Sequence, residues 1–362
     1  MKKVLIITDI DFWQQGAGHR ARVAALVEYL ADKVDLTIFY TNFLTYRIAL
    51  YTQFFNTVKF IAPEPGQRLS DSAYGRKLRK HLAANKVDAI IIEGIHNSHF
   101  LEYLPGEVQL FLDTHDLINE RASSFKAYNY DGYTFELSKA DERHIMSFYD
   151  YVMLICKPDL ETFIQMDTGA KGLLVSHPAV VTQKEVRKQV ENIVYVASEY
   201  VANKDAIEYF IHNCWQHIYT RNRVNLLIYG QICGIIDTGG FEGIKTMGFV
   251  QNLSEAYRNA DIIINPVRFG AGIKIKNIEA LSNGIPLVTT THGGRGLEEA
   301  VNSSLLIADS PIEIIDKINF LIENFDIRKQ MSENAVRFVN ENFNADLCIA
   351  PLLQILNDKG NV

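Results

Sequence analysis

Short apolar runs recur along the chain, separated by longer stretches of mixed polarity. Residues 4–7, 36–40, 89–92, 110–112 and 152–155 are almost wholly apolar, the mark of strands covered on both faces as in a parallel sheet. The stretches between them, such as 20–31 and 75–85, have the length and apolar spacing of amphipathic helices. Alternation of the two predicts an α/β domain. The rhythm breaks over 177–191, where Pro178 and the charged run 184–188 interrupt it. It then begins again, with strands expected at 193–197, 226–229, 262–265 and 286–289 and helices at 204–217, 253–259 and 276–282. Two doubly wound, Rossmann-like domains follow from this, at 1–178 and 192–340, joined by a linker at 179–191. The apolar end of the chain, 341–362, is expected to form a helix that packs back on the first domain.

Composition excludes several functions. With 362 residues, 48% of them hydrophobic and 22% charged, the chain has the make-up of a folded protein of about two domains. Its net charge of −7 argues against a nucleic-acid partner, because neutralising phosphates requires a basic face. Arg76, Lys77, Arg79, Lys80, His81 and Lys86 form a local basic cluster. A solvated helix face is the plain reading, and peripheral contact with an anionic inner membrane surface is the functional one. Cys156, Cys214, Cys233 and Cys348 lie far apart with no C-x-x-C pair, so neither a zinc knuckle nor a redox motif is written. They read as reduced packing residues of a cytoplasmic protein. The apolar run after Met1-Lys2-Lys3 stops at Thr8-Asp9, which suits a buried strand better than a signal peptide. No run approaches the roughly 18 apolar residues that span a bilayer.

The strongest chemical signal is NPVRFGAGIKIKNIEAL, from Asn265 to Leu281. It leaves a predicted strand, passes Gly270 and Gly272 and enters a helix. Glycines let backbone approach an anion, the N–H groups at a helix start donate to it, and Lys274 adds a point charge. A diphosphate is the ligand such a corner suits. Glu279 follows Lys276 by one turn, placed to accept from vicinal hydroxyls of a ribose or to form an ordinary surface ion pair. A lone Gly-x-Gly turn says little. Here it is followed by a helix end at Gly284, a new strand, and a further glycine-rich loop at Gly293, Gly294 and Gly296.

The run from Asp261 to Leu297 resembles the donor-binding region of retaining glycosyltransferases of the GT-B fold, specifically the large family 4 group, glycosyl transferases group 1. Residues 193–198 followed by 203–207 look like the first strand and helix of that family's C-terminal domain. Residues 226–230 and then 246–250, with Leu253 and Tyr257, keep the family's order. The resemblance implies two Rossmann-like domains facing across a cleft. It implies transfer of a hexosyl-type sugar from a UDP- or GDP-linked donor to a hydroxyl of a glycan, lipid-linked or protein glycan acceptor, with retention and without a metal or other cofactor. Gly270, Ala271, Gly272, Ile273, Lys274, Glu279, Ser198 and Arg268 are then the expected donor contacts. The family binds its donor with two glutamates separated by seven residues. Glu279 matches the second, on the ribose, but the first falls at Ala271. The arginine and lysine that the family places after its first C-terminal strand are also missing as a pair. That stretch, 197–204, offers Ser198 and Lys204, so Lys274 is expected to carry much of the phosphate charge.

On the acceptor side, Gly16, Gly18 and His19 match the family's glycine-rich first loop, for which a plain tight turn is the other reading. His115 matches a strand-end histidine used near the reacting sugar. Asp113 and Asp116 flank it at the carboxyl end of a strand, where open parallel sheets bind ligands, suited to orient the ring or bind acceptor hydroxyls. His115, Lys274 and Asp116 are the expected catalytic residues; Arg121 and Glu93-Gly94 lie at comparable edges. Asp9-Ile10-Asp11 has a D-x-D pattern but follows the first strand, so it reads as acceptor-side or structural and not as a donor metal site. A sugar-nucleotide epimerase or phosphorylase of the same fold is a rival enzyme. A catalytically silent nucleotide-sugar-binding subunit is suggested by Ala271. A dinucleotide-dependent dehydrogenase is disfavoured, because neither first strand leads into G-x-G-x-x-G with an acidic residue about 20 positions on.

Overall fold

The computed structural model describes residues 1–14, 16–43, 57–64, 66–132 and 135–358; Gln15, within the first glycine-rich loop, lies outside them. The first sheet runs through β1 (Lys3–Thr8), β2 (Asp35–Tyr40), β3 (Lys59–Ile61), β4 (Ala89–Glu93), β5 (Gln109–Asp113), β6 (Tyr151–Leu154) and β7 (Lys171–Leu174). Its order is β3-β2-β1-β4-β5-β6-β7, parallel throughout. The second has β8 (Asn192–Val196), β9 (Asn225–Tyr229), β10 (Ile244–Gly248), β11 (Ile262–Asn265), β12 (Leu287–Thr289) and β13 (Leu305–Ile307). Its order is β10-β9-β8-β11-β12-β13, again all parallel. Two α/β domains, each a parallel sheet between helical layers, are thus present as expected.

The apolar runs explain the sheets directly. In β1, Val4 and Ile6 enter a core shared with the helix Gly18–Leu30, while Leu5 and Ile7 enter the core on the other face. All four are fully buried, and burial of each contributes roughly 1.5–3 kcal/mol. The strands absent from the apolar pattern are the four edge strands. β3, β7 and β10 are partly exposed and so lack a continuous apolar run, β10 being marked only by the family's order at 246–250, while β13 is apolar but only three residues long. The helix expected over 204–217 is divided: Val201–Phe210 is α-helical, Ile211–Trp215 forms a π turn, and Gln216–Asn222 resumes the α-helix.

The order of each sheet reverses at one place, between β1 and β4 in the first and between β8 and β11 in the second. Connections leave these neighbours toward opposite sides, which opens a crevice at their carboxyl ends. The chain passes between the domains twice. Residues 175–191 lead forward, and the terminal helix Ala345–Asn357 returns, burying Cys348, Ile349, Leu352 and Leu356 in the core that contains Val23, Leu26 and Val27. Tyr29 donates to Asp346 Oδ1 at 2.9 Å across this contact. The two passages also touch each other, since the Ala179 N–H donates to the Phe343 carbonyl at 2.7 Å. Among the described residues, no helix is long and apolar enough to cross a membrane.

Candidate active site between the domains

The loop that follows β11 is set by buried amides. Asn265 Nδ2 donates to Asn277 Oδ1 at 2.8 Å, and Asn277 Nδ2 donates to the Gly293 carbonyl at 2.8 Å. Both ends of the loop are thereby tied to the next glycine-rich turn. The loop itself meets the first domain. The Gly270 N–H donates to Ser124 Oγ at 3.0 Å, and Phe269 lies among Phe125, Tyr128 and Tyr130 with ring centroids 4.9–5.0 Å apart. Ala271 is half-buried, and Ile273 is buried against Gly296. Gly272 has φ +64, and a Cβ there would stand 2.9 Å from the His115 carbonyl oxygen. Gly272→Ala is therefore expected to destabilise the protein by about 2 kcal/mol, from left-handed strain together with a backbone clash. A melting temperature equal to that of the wild type would show that the loop does not rest on His115.

Lys274 ends this loop as the N-cap of the helix Ile275–Ser282. Its Nζ donates to the carbonyls of Ala271 and Gly272 at 3.0 and 2.9 Å. Burial pushes its pKa down to about 8, against the pull of Asp116 and Asp159. Lys276, which the sequence reading named only as a helix position, reaches the opposite way. Its Nζ donates to Asn203 Oδ1 at 2.8 Å and lies 4.9 Å from the centre of the Tyr195 ring. Asn203 in turn donates to the carbonyl of Ser198 at 3.2 Å, so Ser198, Asn203 and Lys276 form one chain of contacts. Glu279 is half-buried and accepts from the Tyr257 hydroxyl at 2.6 Å; burial raises its pKa, against that bond and Lys276. Arg268 does not join this group. Its guanidinium binds Asp205 at 2.9 and 2.6 Å and lies over the rings of Tyr209 and Tyr128.

Across from the loop stand His115 and Asp116. His115 has φ +57, and its Nε2 lies 2.8 Å from Oε2 of the buried Glu93. Burial and the nearby Asp113 raise Glu93 to about 7, against His115. For His115 burial acts in the opposite direction, yet Asp113 and Glu93 outweigh it and raise its pKa. Asp116 receives Arg121 Nη1 at 3.1 Å on both oxygens. Asp113 is not open to an acceptor hydroxyl, contrary to the role expected of it. It is fully buried, and Arg22 Nε and Nη2 bind it at 2.9 and 2.7 Å. Burial would raise its pKa, but the guanidinium prevails and holds it below the ordinary carboxylate value.

His19 stands at the start of its helix, where crowding by surrounding groups and the nearby charge of His115 hold its pKa below the ordinary value. Gly16 and Gly18 stand against the second domain, where added Cβ atoms would lie 3.1 Å from Phe249 and 3.3 Å from Ile275. Both aspartates of the D-x-D pattern are engaged within the first domain. Asp9 meets His96 at 3.1 Å and Asn97 at 3.0 Å, while Asp11 is bound by Arg20 at 2.6 Å. Glu93, Asp113 and His115 bring ligand atoms within 4.8 Å of one another. Because Arg22 already holds both Asp113 oxygens, that group carries its own cation. A cavity of about 620 Å³ opens beside the glycine loop, lined by Tyr128 and Pro158 of the first domain and Arg268, His292 and Arg295 of the second.

Residues 190–324 match the family model for glycosyl transferases group 1. The chain is 25% identical over 248 residues to an uncharacterized 44.6 kDa protein in the cps region of Klebsiella pneumoniae, covering 63% of this chain and 61% of that one. It is 34% identical over 115 residues to an uncharacterized glycosyltransferase of Methanocaldococcus jannaschii, covering 31% and 27%. The matches thus span less than two thirds of these curated relatives. Among solved structures, Anabaena HepE in complex with UDP and glucose superposes with a TM-score of 0.71 at 13% identity, over 99% of this chain and 100% of that one. Residues 190–324 of the second domain are thus similar to the glycosyl transferases group 1 family, and the two Rossmann-like domains of the chain have the GT-B fold.

Proposed function

We propose that the chain is a glycosyltransferase that moves a hexosyl-type sugar from a nucleoside-diphosphate donor to a hydroxyl of a glycan or glycoconjugate, with retention of configuration and without a metal. The observation that carries this reading is the meeting of two half-sites. The glycine loop, Lys274, Lys276 and Glu279 lie at the carboxyl ends of β8 and β11, and His115 and Asp116 lie directly against that loop from the first domain. A diphosphate at the first half-site and an acceptor beside the second would place the sugar between them. The bond from the anomeric carbon to the diphosphate oxygen breaks while the bond to the acceptor oxygen forms on the same face. The acceptor proton then has the departing phosphate oxygen as its nearest base. The protein's part is to stabilise the leaving charge with groups already in place, namely the loop backbone, the lysines and the helix start.

Ala271, standing where the family's first glutamate is expected, favours one second reading, a subunit that binds the donor but does not transfer it. A thermal-shift panel of UDP, GDP, ADP, CMP and their sugar conjugates tests the proposal, because a ligand of the native state alone raises stability by mass action. A rise of the melting temperature with one nucleotide family is expected. No response at millimolar concentration would sink the donor assignment. Binding without sugar release to any glycan acceptor would leave the silent subunit.

A further inference from the structure

We propose that Lys276 is the side chain that holds the donor diphosphate, in the role that the stretch after β8 would otherwise give to Lys204. This rests on the donor reading above and adds to it the residue that binds the phosphates.

The first argument is position. Lys276 Nζ reaches Asn203 at 2.8 Å, and so joins the chain leaving β8 to the chain leaving β11, the two strands that flank the crevice of the second sheet. Two helices, Val201–Phe210 and Ile275–Ser282, begin at this place, and neither has a side-chain cap on its N-terminal N–H groups. Uncapped helix starts favour an anion, and here two of them accompany an ammonium group.

The second argument is availability. The competing cations are already committed. Arg268 is paired with Asp205 and Arg121 with Asp116. Lys204 lies 3.8 Å from Glu208 on its own helix. Lys274 gives two of its donors to the loop carbonyls. Lys276 has only a neutral amide as its hydrogen-bond partner, and among the described residues no carboxylate lies within ion-pair distance of it. Its remaining donors are unassigned on a half-buried side chain. Such a charge is unfavourable without a counter-ion. Burial and the charge of Lys274 accordingly push Lys276 down to about 7, against the pull of Glu279. A diphosphate would supply the missing charge and raise that value, so binding near pH 7.5 should take up a proton.

The test is calorimetric titration of the full chain with UDP, GDP and ADP and with their parent nucleosides, in two buffers of different protonation enthalpy. Lys276→Met is expected to weaken binding of the preferred diphosphate by roughly 10- to 100-fold. It should leave the nucleoside affinity as in the wild type and reduce the proton uptake. Lys276→Arg, which keeps the charge, should retain most of the diphosphate affinity and shows whether the fold tolerates change here. The inference is overturned if Lys276→Met binds the diphosphate as the wild type does, if it loses the nucleoside equally, or if Lys204→Ala produces the larger loss. A wild-type protein that binds none of the three diphosphates removes the donor reading itself, and this inference with it.

Discussion

Replacing Arg22 by methionine is expected to destabilise the first domain by about 3–5 kcal/mol, the usual effect of removing one member of a buried ion pair. Arg22 is 3% exposed and Asp113 fully buried. The guanidinium makes bonds of 2.9 and 2.7 Å to the carboxylate and a further one of 2.7 Å to the Val175 carbonyl. Without it, Asp113 would face Glu93 with no cation but His115. Urea unfolding, read with a probe in the first domain, measures the effect, because two domains need not unfold as one. An unchanged midpoint would mean that water reaches the pair. The double change Arg22→Met with Asp113→Leu should recover much of the loss, since apolar replacement of a buried pair is often neutral. The pH dependence has a fixed sign. The folded-state pKa of Asp113 is depressed, so its contribution is present above the unfolded carboxylate value of about 3.9 and is lost as pH falls through the folded value. The gap between wild type and Arg22→Met should therefore narrow in acid.

The second large effect is on transfer. In sugar transfer, His115→Ala is expected to lower the rate by roughly 10²- to 10⁴-fold, the range for loss of a positioned acid–base or hydrogen-bonding group, and to leave nucleotide affinity close to that of the wild type. The reason is spatial. His115 lies on the first domain, against Gly272, while the groups suited to the nucleotide lie on the second. Steady-state rates beside a direct binding measurement separate the two effects. Parallel losses in both would assign His115 to holding the loop and its partner Glu93 in place.

What the sequence disclosed depended on how local each signal is. The buried strands were legible because residues such as 4–7 and 89–92 are apolar without interruption, which only a strand covered on both faces requires. The edge strands β3 and β7 carry exposed positions and so resemble loops. The π turn at Ile211–Trp215 alters the helical repeat for five residues and leaves no compositional trace. The glycine loop and Glu279 were legible because one strand-to-helix corner contains them. The ion pairs were not. Arg22 and Asp113 stand 91 positions apart, and an arginine in an amphipathic helix looks like part of its solvated face. Arg268 was placed with the donor contacts because its partner Asp205, 63 positions away, cannot be identified from spacing. Lys276 passed as a helix charge for the same reason, since Asn203 lies 73 positions from it.

The two passages of chain between the domains have a mechanical meaning. A single tether lets one body twist and tilt in any direction relative to the other. Here the segment after β7 and the segment before the terminal helix run side by side, joined at Ala179 and Phe343, and the terminal helix is anchored beside Tyr29. The doubled connection therefore adds to the contacts that hold the two half-sites against each other, Gly270 to Ser124 and Arg295 to Glu120 and Asp159.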